Sequence, residues 1–186
     1  MRVVLLIALV LAFPALAQPD PELLTHLRAG GYVLYLRHTS TDFSQNDAKM
    51  TSFEDSANQR NLTDRGRDEA RAIGEHVKRL KIPIGEVLAS PFCRTMETAR
   101  LAFGKARATN EVRGGPATDA GERYAPLRRL LSSPVAKGTN LVISSHGNPF
   151  HAVAGPPYLA EGEIAVVHAE GDGRFSVIAR IPLAGW

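Results

Sequence analysis

Two histidines stand at the ends of apolar runs, in Leu34-Tyr35-Leu36-Arg37-His38 and in Val142-Ile143-Ser144-Ser145-His146. Arg37 directly precedes the first of them, and Arg94 follows a third short apolar stretch that closes on Ala89-Ser90-Pro91-Phe92-Cys93. Two imidazoles and two guanidiniums suit a tetrahedral oxyanion. A guanidinium presents a planar fork of donors that matches phosphate oxygens, and it stays charged. An imidazole near neutral pH serves as nucleophile or as donor. Phosphoryl transfer requires positioning and neutralisation of charge on the equatorial oxygens. This set supplies both, so neither a metal nor another cofactor is called for. A histidine taken singly is more often a surface or satisfied core residue, and His26, His76, His151 and His168 are read that way. Arg37 alone is open to reading as a structural ion-pair partner. At the end of an apolar strand, however, an unpaired charge is expensive, and an anion is expected beside it.

The elements that must position these groups follow from periodicity. Residues 32–36 and 140–145 are near-continuously apolar, as in parallel strands buried on both faces. Residues 85–90 form a third short strand that Pro91 ends. Helices are expected over 22–29, stopped by Gly30-Gly31; over 62–80, with Thr63 as N-cap; and over 94–104, closed by Gly104. A further helix is expected over 121–133 with a break near Pro126, and a brief one around 149–154. Glu97 is read as the ion-pair partner of an arginine one turn away. Residues 39–60 are polar and read as a long loop, of the kind that is usually functional or mobile. Residues 105–120 show no clear pattern. Residues 163–169 and 174–181 flank a hairpin signal at Glu170-Gly171-Asp172-Gly173. Strands alternating with helices predict an α/β fold around a mainly parallel sheet. In such sheets ligands bind outside the carboxyl ends of the strands, where Arg37, His38, Arg94 and His146 would converge.

The 186 residues favour one domain, and a net charge of +3 with no basic tail gives no case for nucleic acid. A basic residue, an apolar run from Val3 to Phe13 and a small-x-small site at Ala15-Leu16-Ala17 read as a secretory leader. The run is shorter than the roughly 20 residues a membrane span needs. The expected organisation is a leader over 1–17 and one domain over 18–186, exported to the periplasm, with no membrane span after cleavage. Cys93 is the only cysteine, which excludes an internal disulfide.

Four blocks in order resemble the histidine phosphatase superfamily, which has the phosphoglycerate-mutase-like fold. They are Arg37-His38-Thr39-Ser40-Thr41, Leu62-Thr63-Asp64-Arg65-Gly66, Ser90-Pro91-Phe92-Cys93-Arg94 with Thr98-Ala99, and Ser145-His146-Gly147-Asn148. The resemblance implies a three-layer α/β/α sandwich and a phosphatase that works through a phosphohistidine on His38. Arg37, Arg94 and His146 would hold the phosphoryl group, with Thr41, Ser44 and Asn148 adding hydrogen bonds to phosphate or substrate. Thr39 stands where the family has glycine, which would leave the backbone after the nucleophile less free.

A leaving alkoxide needs a proton. Glu111, Asp119 and Glu122 precede the second histidine, and Glu161 and Glu163 follow it. If the strand after Glu163 runs antiparallel to the sheet, its start lies on the catalytic edge, so the pair Glu161 and Glu163 is preferred, with Glu122 next. The expected activity is hydrolysis of a small phosphorylated substrate. The competing reading is a protein that binds phosphate or a phosphorylated ligand in the same pocket without turnover.

Overall fold

A computed structural model describes residues 20–113 and 123–185. The leader expected over 1–17 lies outside the described residues, as do Asp119 and Glu122. Strands β1 (Val33–Arg37), β2 (Ile84–Ala89), β3 (Arg107–Ala108), β4 (Asn140–Ser145), β5 (Ile164–Gly171) and β6 (Arg174–Ile181) form one sheet in the order β3-β2-β4-β1-β5-β6. β3, β2, β4 and β1 are mutually parallel, whereas β5 runs antiparallel to β1 and β6 antiparallel to β5. The mainly parallel α/β architecture and the closing hairpin agree with expectation. The antiparallel course of β5 meets the condition on which the preference for Glu161 and Glu163 rested.

Side chains alternate across the sheet because a strand repeats every two residues. Leu34 and Leu36 of β1, Val142 of β4 and Val166 of β5 face one core. Against them pack the helices α1 (Pro21–Ala29), α2 (Asp64–Arg79) and α3 (Cys93–Phe103), through Leu27, Ile73 and Met96. Val33, Tyr35, Ile143 and Val167 face the other core, where α4 (Ala125–Ser132) and α5 (Gly147–Ala154) supply Leu127, Leu131 and Phe150. Helices therefore cover both faces of the sheet, which is the three-layer arrangement.

Three local expectations are corrected. Pro126 sits in the first turn of α4 and starts the helix instead of breaking it, since its missing N–H is not needed there. The patternless segment after α3 contains β3, too short for its alternation to register, and a 3-10 turn at Asn110–Val112. Glu97 pairs at 2.7 Å with Arg67 of α2, and so ties α2 to α3, where a partner within its own helix had been expected.

Helix α2 also braces the segment after His38. The Thr63 hydroxyl accepts the Gly66 N–H at 3.0 Å and caps the helix, while the Thr63 N–H donates to the Ser40 carbonyl at 3.0 Å. The Ser40 N–H donates in turn to the buried Glu69 carboxylate at 3.0 Å. Gly66 makes this closeness possible, because a Cβ there would collide with the Ser40 carbonyl oxygen. Gly66→Ala is expected to push α2 off the Thr39-Ser40 segment and destabilise the protein by about 1–3 kcal/mol. Urea denaturation checks this against Gly155→Ala, whose Cβ meets nothing within 4 Å but which carries a backbone penalty of its own at φ +75°.

Candidate active site

The register between β1 and β4 builds the centre of the site. Arg37 is opposite Ser145 in the parallel ladder, and the His38 N–H extends it by donating to the Ser145 carbonyl at 2.9 Å. His38 and His146 therefore leave the sheet as neighbours, with ring centroids 5.6 Å apart and planes inclined by 68°. Ser90 continues β2 beside β4 through its N–H to the Ser144 carbonyl, and its hydroxyl lies 2.9 Å from His146 Nε2. Arg94 rises from the first turn of α3. From the other side, the antiparallel pairing of Leu36 with Ile164 brings the turn before β5 to the same edge. The Gly162 N–H closes that turn onto the Arg37 and His38 carbonyls.

His38 is buried, and its Nδ1 lies 3.0 Å from the Thr39 carbonyl. A carbonyl only accepts, so the proton is on Nδ1 and Nε2 carries the free lone pair. The Thr39 carbonyl is fixed in turn. The Thr39 N–H donates to Thr98 Oγ1 at 3.3 Å, and the Thr98 hydroxyl donates to the Arg94 carbonyl at 2.7 Å. Thr39 is not among the residues with positive φ, so a side chain is tolerated there, and its hydroxyl packs 3.2 Å from that of Thr98. The glycine of the family pattern is not required in this conformation.

Burial first, then the like charges of Arg94, Arg37 and Arg60, push the His38 imidazole down to about 3, against the favourable Thr39 carbonyl. Burial also holds His146 well below its ordinary range, again with arginines adding. Both rings are neutral near pH 7.

Three guanidiniums surround them, and two carboxylates face the guanidiniums. Arg94 donates from both Nη atoms to Asp47, at 3.0 and 3.1 Å, and also to the Arg60 carbonyl at 3.2 Å. Burial opposes the ionised form of Asp47, but the Arg94 fork and the Arg60 N–H outweigh it and lower its pKa. Arg37 donates from Nη1 to the Leu159 carbonyl at 2.6 Å, and its Nη2 lies 3.6 Å from Glu161 Oε1. The Nε atoms of Arg37, Arg60 and Arg94 are all buried without a partner, and only two other side-chain atoms among the described residues share that condition. A cluster with surplus positive charge and unmatched donors is short of an anion.

The remaining candidates divide. Glu161 enters the cluster: Oε1 is 3.8 Å from His38 Nδ1 and accepts the Thr41 hydroxyl at 2.8 Å, while Oε2 accepts the Thr41 N–H at 3.3 Å. Both Thr41 donors are thereby occupied. Glu163 does not join the cluster. Its carboxylate accepts the Ala160 N–H at 2.7 Å and closes the turn. Ser44 is not brought in either, since its hydroxyl and N–H both bond Asp42 in an exposed turn. Asn148, exposed at the start of α5, accepts the Tyr158 hydroxyl at 2.5 Å. Glu111 lies exposed beside Thr109. Sequence reasoning missed Asp47, Arg60, Thr98 and Tyr158. Arg60 carried one readable signal, since it stands two residues before the Leu62-Thr63 block that packs on the site. An open groove of about 1040 Å³ lies alongside, lined by Phe53, Cys93, Met96 and Arg100 among others. It contains no histidine, and the acid-base and nucleophilic groups belong to the cluster beside it.

Residues 33–115 match the model of the histidine phosphatase superfamily (branch 1). That match spans a little under half of the chain and takes in Arg37, His38 and Arg94. No curated protein matches it. Among solved structures, the protein histidine phosphatase SixA in complex with tungstate is similar at 27% identity and a TM-score of 0.57, over 82% of this chain and 97% of that one. A mycobacterial glucosyl-3-phosphoglycerate phosphatase shares the fold at 16% identity and a TM-score of 0.58, over 80% and 97%. A SixA-like protein from Agrobacterium tumefaciens shares it at 17% identity and 0.54, over 81% and 97%. The family match and the similar solved phosphatases support a phosphatase, with its paired histidines at the carboxyl edge of the parallel strands.

The two neutral histidines make the stability of the protein depend on pH. Above the ordinary histidine value of 6.5 both rings are neutral in the folded and unfolded states and contribute no slope. Between about 6.5 and about 3 the unfolded chain binds protons that folded His38 refuses, so stability falls as pH falls through that window. The expected slope is at most about 1.4 kcal/mol per pH unit for each histidine. Urea midpoints from pH 7 to pH 5 check it, and His38→Asn is expected to give a shallower decline than wild type.

Proposed function

We propose that the protein is a metal-independent phosphomonoester hydrolase that transfers the phosphoryl group to His38 Nε2 and then to water. The observation that carries this reading is the neutral His38, with its proton fixed on Nδ1, beside three guanidiniums that outnumber their two carboxylates and keep buried, unpartnered Nε atoms. In the first step the Nε2 lone pair forms a bond to phosphorus and the bond to the leaving oxygen breaks. Arg94, freed from Asp47, and Arg37 balance charge on the equatorial oxygens. His146 borders the same space and is suited to donate one hydrogen bond to the phosphoryl group. Glu161 is the carboxyl nearest the nucleophile, and in its protonated form it delivers the proton an alkoxide needs. In the second step water attacks phosphorus, the P–N bond breaks, phosphate leaves, and the proton released by water restores Glu161. The guanidiniums supply the positive charge that a metal would otherwise bring. Export to the periplasm belongs to the same reading and rests on the leader-like composition of residues 1–17.

A brief incubation with a ³²P-labelled phosphoester, stopped in alkaline detergent, is expected to leave label on the wild-type chain that acid removes, as a P–N bond requires. His38→Ala is expected to carry none. Tight binding of phosphate with neither label nor release would establish the non-catalytic binder instead. Because the neighbour at 27% identity is a protein histidine phosphatase, the panel of substrates includes a phosphorylated imidazole.

Two variants test the assigned roles. Arg94→Ala is expected to lower kcat/KM by about 10²–10³-fold, as loss of a preorganised donor to the transition state does. Glu161→Gln is expected to slow hydrolysis of an alkyl phosphate far more than that of an aryl phosphate, whose leaving group departs without a proton. Equal losses on both would assign Glu161 to orientation of His38 and Arg37.

A further inference from the structure

Among the described residues three large hydrophobic side chains are exposed: Phe43 at 72%, Tyr158 at 47% and Ile178 at 45%. Single exposed hydrophobics are ordinary on a protein surface. The placement of these is not scattered, because two of the three flank the arginine cluster. The Tyr158 ring lies 5.2 Å from the Arg37 guanidinium carbon, and the Phe43 ring lies 4.9 Å from that of Arg60. A guanidinium against an aromatic face is attractive, and it leaves the rest of the ring open for another flat group.

Both rings are held in place. The Tyr158 hydroxyl donates to Asn148, and its ring lies against Gly147, where any Cβ would collide with it. Gly147 directly follows His146, so its missing side chain seats an aromatic wall next to the second histidine. Phe43 sits in the turn that Asp42 closes by accepting from the Ser44 N–H and hydroxyl. The base of that turn is fixed by the bridge between Thr41 and Leu62, with the Asp42 N–H donating to the Asn61 carbonyl. Arg60 is anchored in turn by its N–H to Asp47 and its carbonyl from Arg94. Each wall is thus linked through one arginine to the group of donors around the two histidines.

We propose that Phe43 and Tyr158 form a flat-ring subsite at the mouth of the phosphoryl pocket, selecting compounds whose phosphoryl group is joined directly to a planar unsaturated ring. The inference rests on the proposed phosphoryl pocket and adds its substrate class. Compact alkyl phosphates offer no flat face to either ring. A phenolate or imidazole leaving group does, and it also departs with the least help from an acid. That suits a site whose one carboxyl beside the nucleophile accepts two hydrogen bonds from Thr41.

The test measures binding without chemistry. Calorimetric titration of the full chain with phenylphosphonate and with methylphosphonate, at about pH 9 where both are dianions, compares a ring with a methyl group on the same anion. Wild type is expected to bind the phenyl compound about tenfold more tightly. Phe43→Ala and Tyr158→Ala are each expected to weaken phenylphosphonate about threefold to tenfold and methylphosphonate less than twofold. Tyr158→Phe, which keeps the ring and removes only the hydroxyl, is expected to retain the preference. Equal affinity for the two compounds, or equal loss for both in the alanine variants, overturns the subsite and leaves the proposed hydrolase standing. Failure of both phosphonates to bind overturns the phosphoryl pocket and the subsite together.

Discussion

Parallel pairing of β1 with β4 aligns Arg37 with Ser145, and every feature of the site depends on that alignment. A slip of one residue would send His38 and His146 to opposite faces of the sheet, because the side-chain period of a strand is two. The register is held by the buried alternation that fills both cores, Leu34 and Leu36 on one face and Val33 and Tyr35 on the other. Core packing therefore sets the separation of two imidazoles that stand more than a hundred residues apart in sequence. The same alternation sends Arg37 toward Leu159 and Tyr158, and places Thr39 against Thr98 of α3.

Electrostatics then constrain what the edge of the sheet can hold. Burial keeps both histidines neutral, and each neighbouring arginine reinforces that state. Neutral imidazole is the nucleophilic form, so in the proposed reaction the charges that bind the anion also keep the attacking nitrogen unprotonated. The reverse coupling holds as well. An anion seated among Arg37, Arg60 and Arg94 offsets the field that depresses the histidines and raises their affinity for a proton.

Much of the fold was legible in the sequence because it rests on local rules. Apolar runs of five or six residues, the Thr63 cap and glycines after helices mark the elements directly. The histidines were legible because each ends an apolar strand. Asp47 and Arg60 were not, because they lie in a polar loop with no periodicity, and their roles arise from contacts across the fold with Arg94. Glu161 and Glu163 share one tripeptide, and sequence alone gave no reason to separate them. Their separation comes from the turn closed by Gly162, which sends one carboxylate to Thr41 and the other to the Ala160 N–H.

Asp47 explains how such a site folds before it meets a ligand. Arg94 is almost fully buried, and a bare guanidinium there would be costly. The Asp47 carboxylate takes the two-donor fork of Arg94 in the geometry two oxygens of a phosphoryl group would use. Glu161 stands near Arg37 in a comparable way, though at 3.6 Å and without a hydrogen bond. In the proposed reaction a phosphoryl group reaching Arg94 therefore exchanges with an internal carboxylate and does not enter an unoccupied cation site. Asp47 belongs to the loop that also carries Phe43 and Arg60, so the exchange at Arg94 and the aromatic wall at the mouth are parts of one segment. That segment is tied to the strand that leads into His38 at one end and to the cap of α2 at the other.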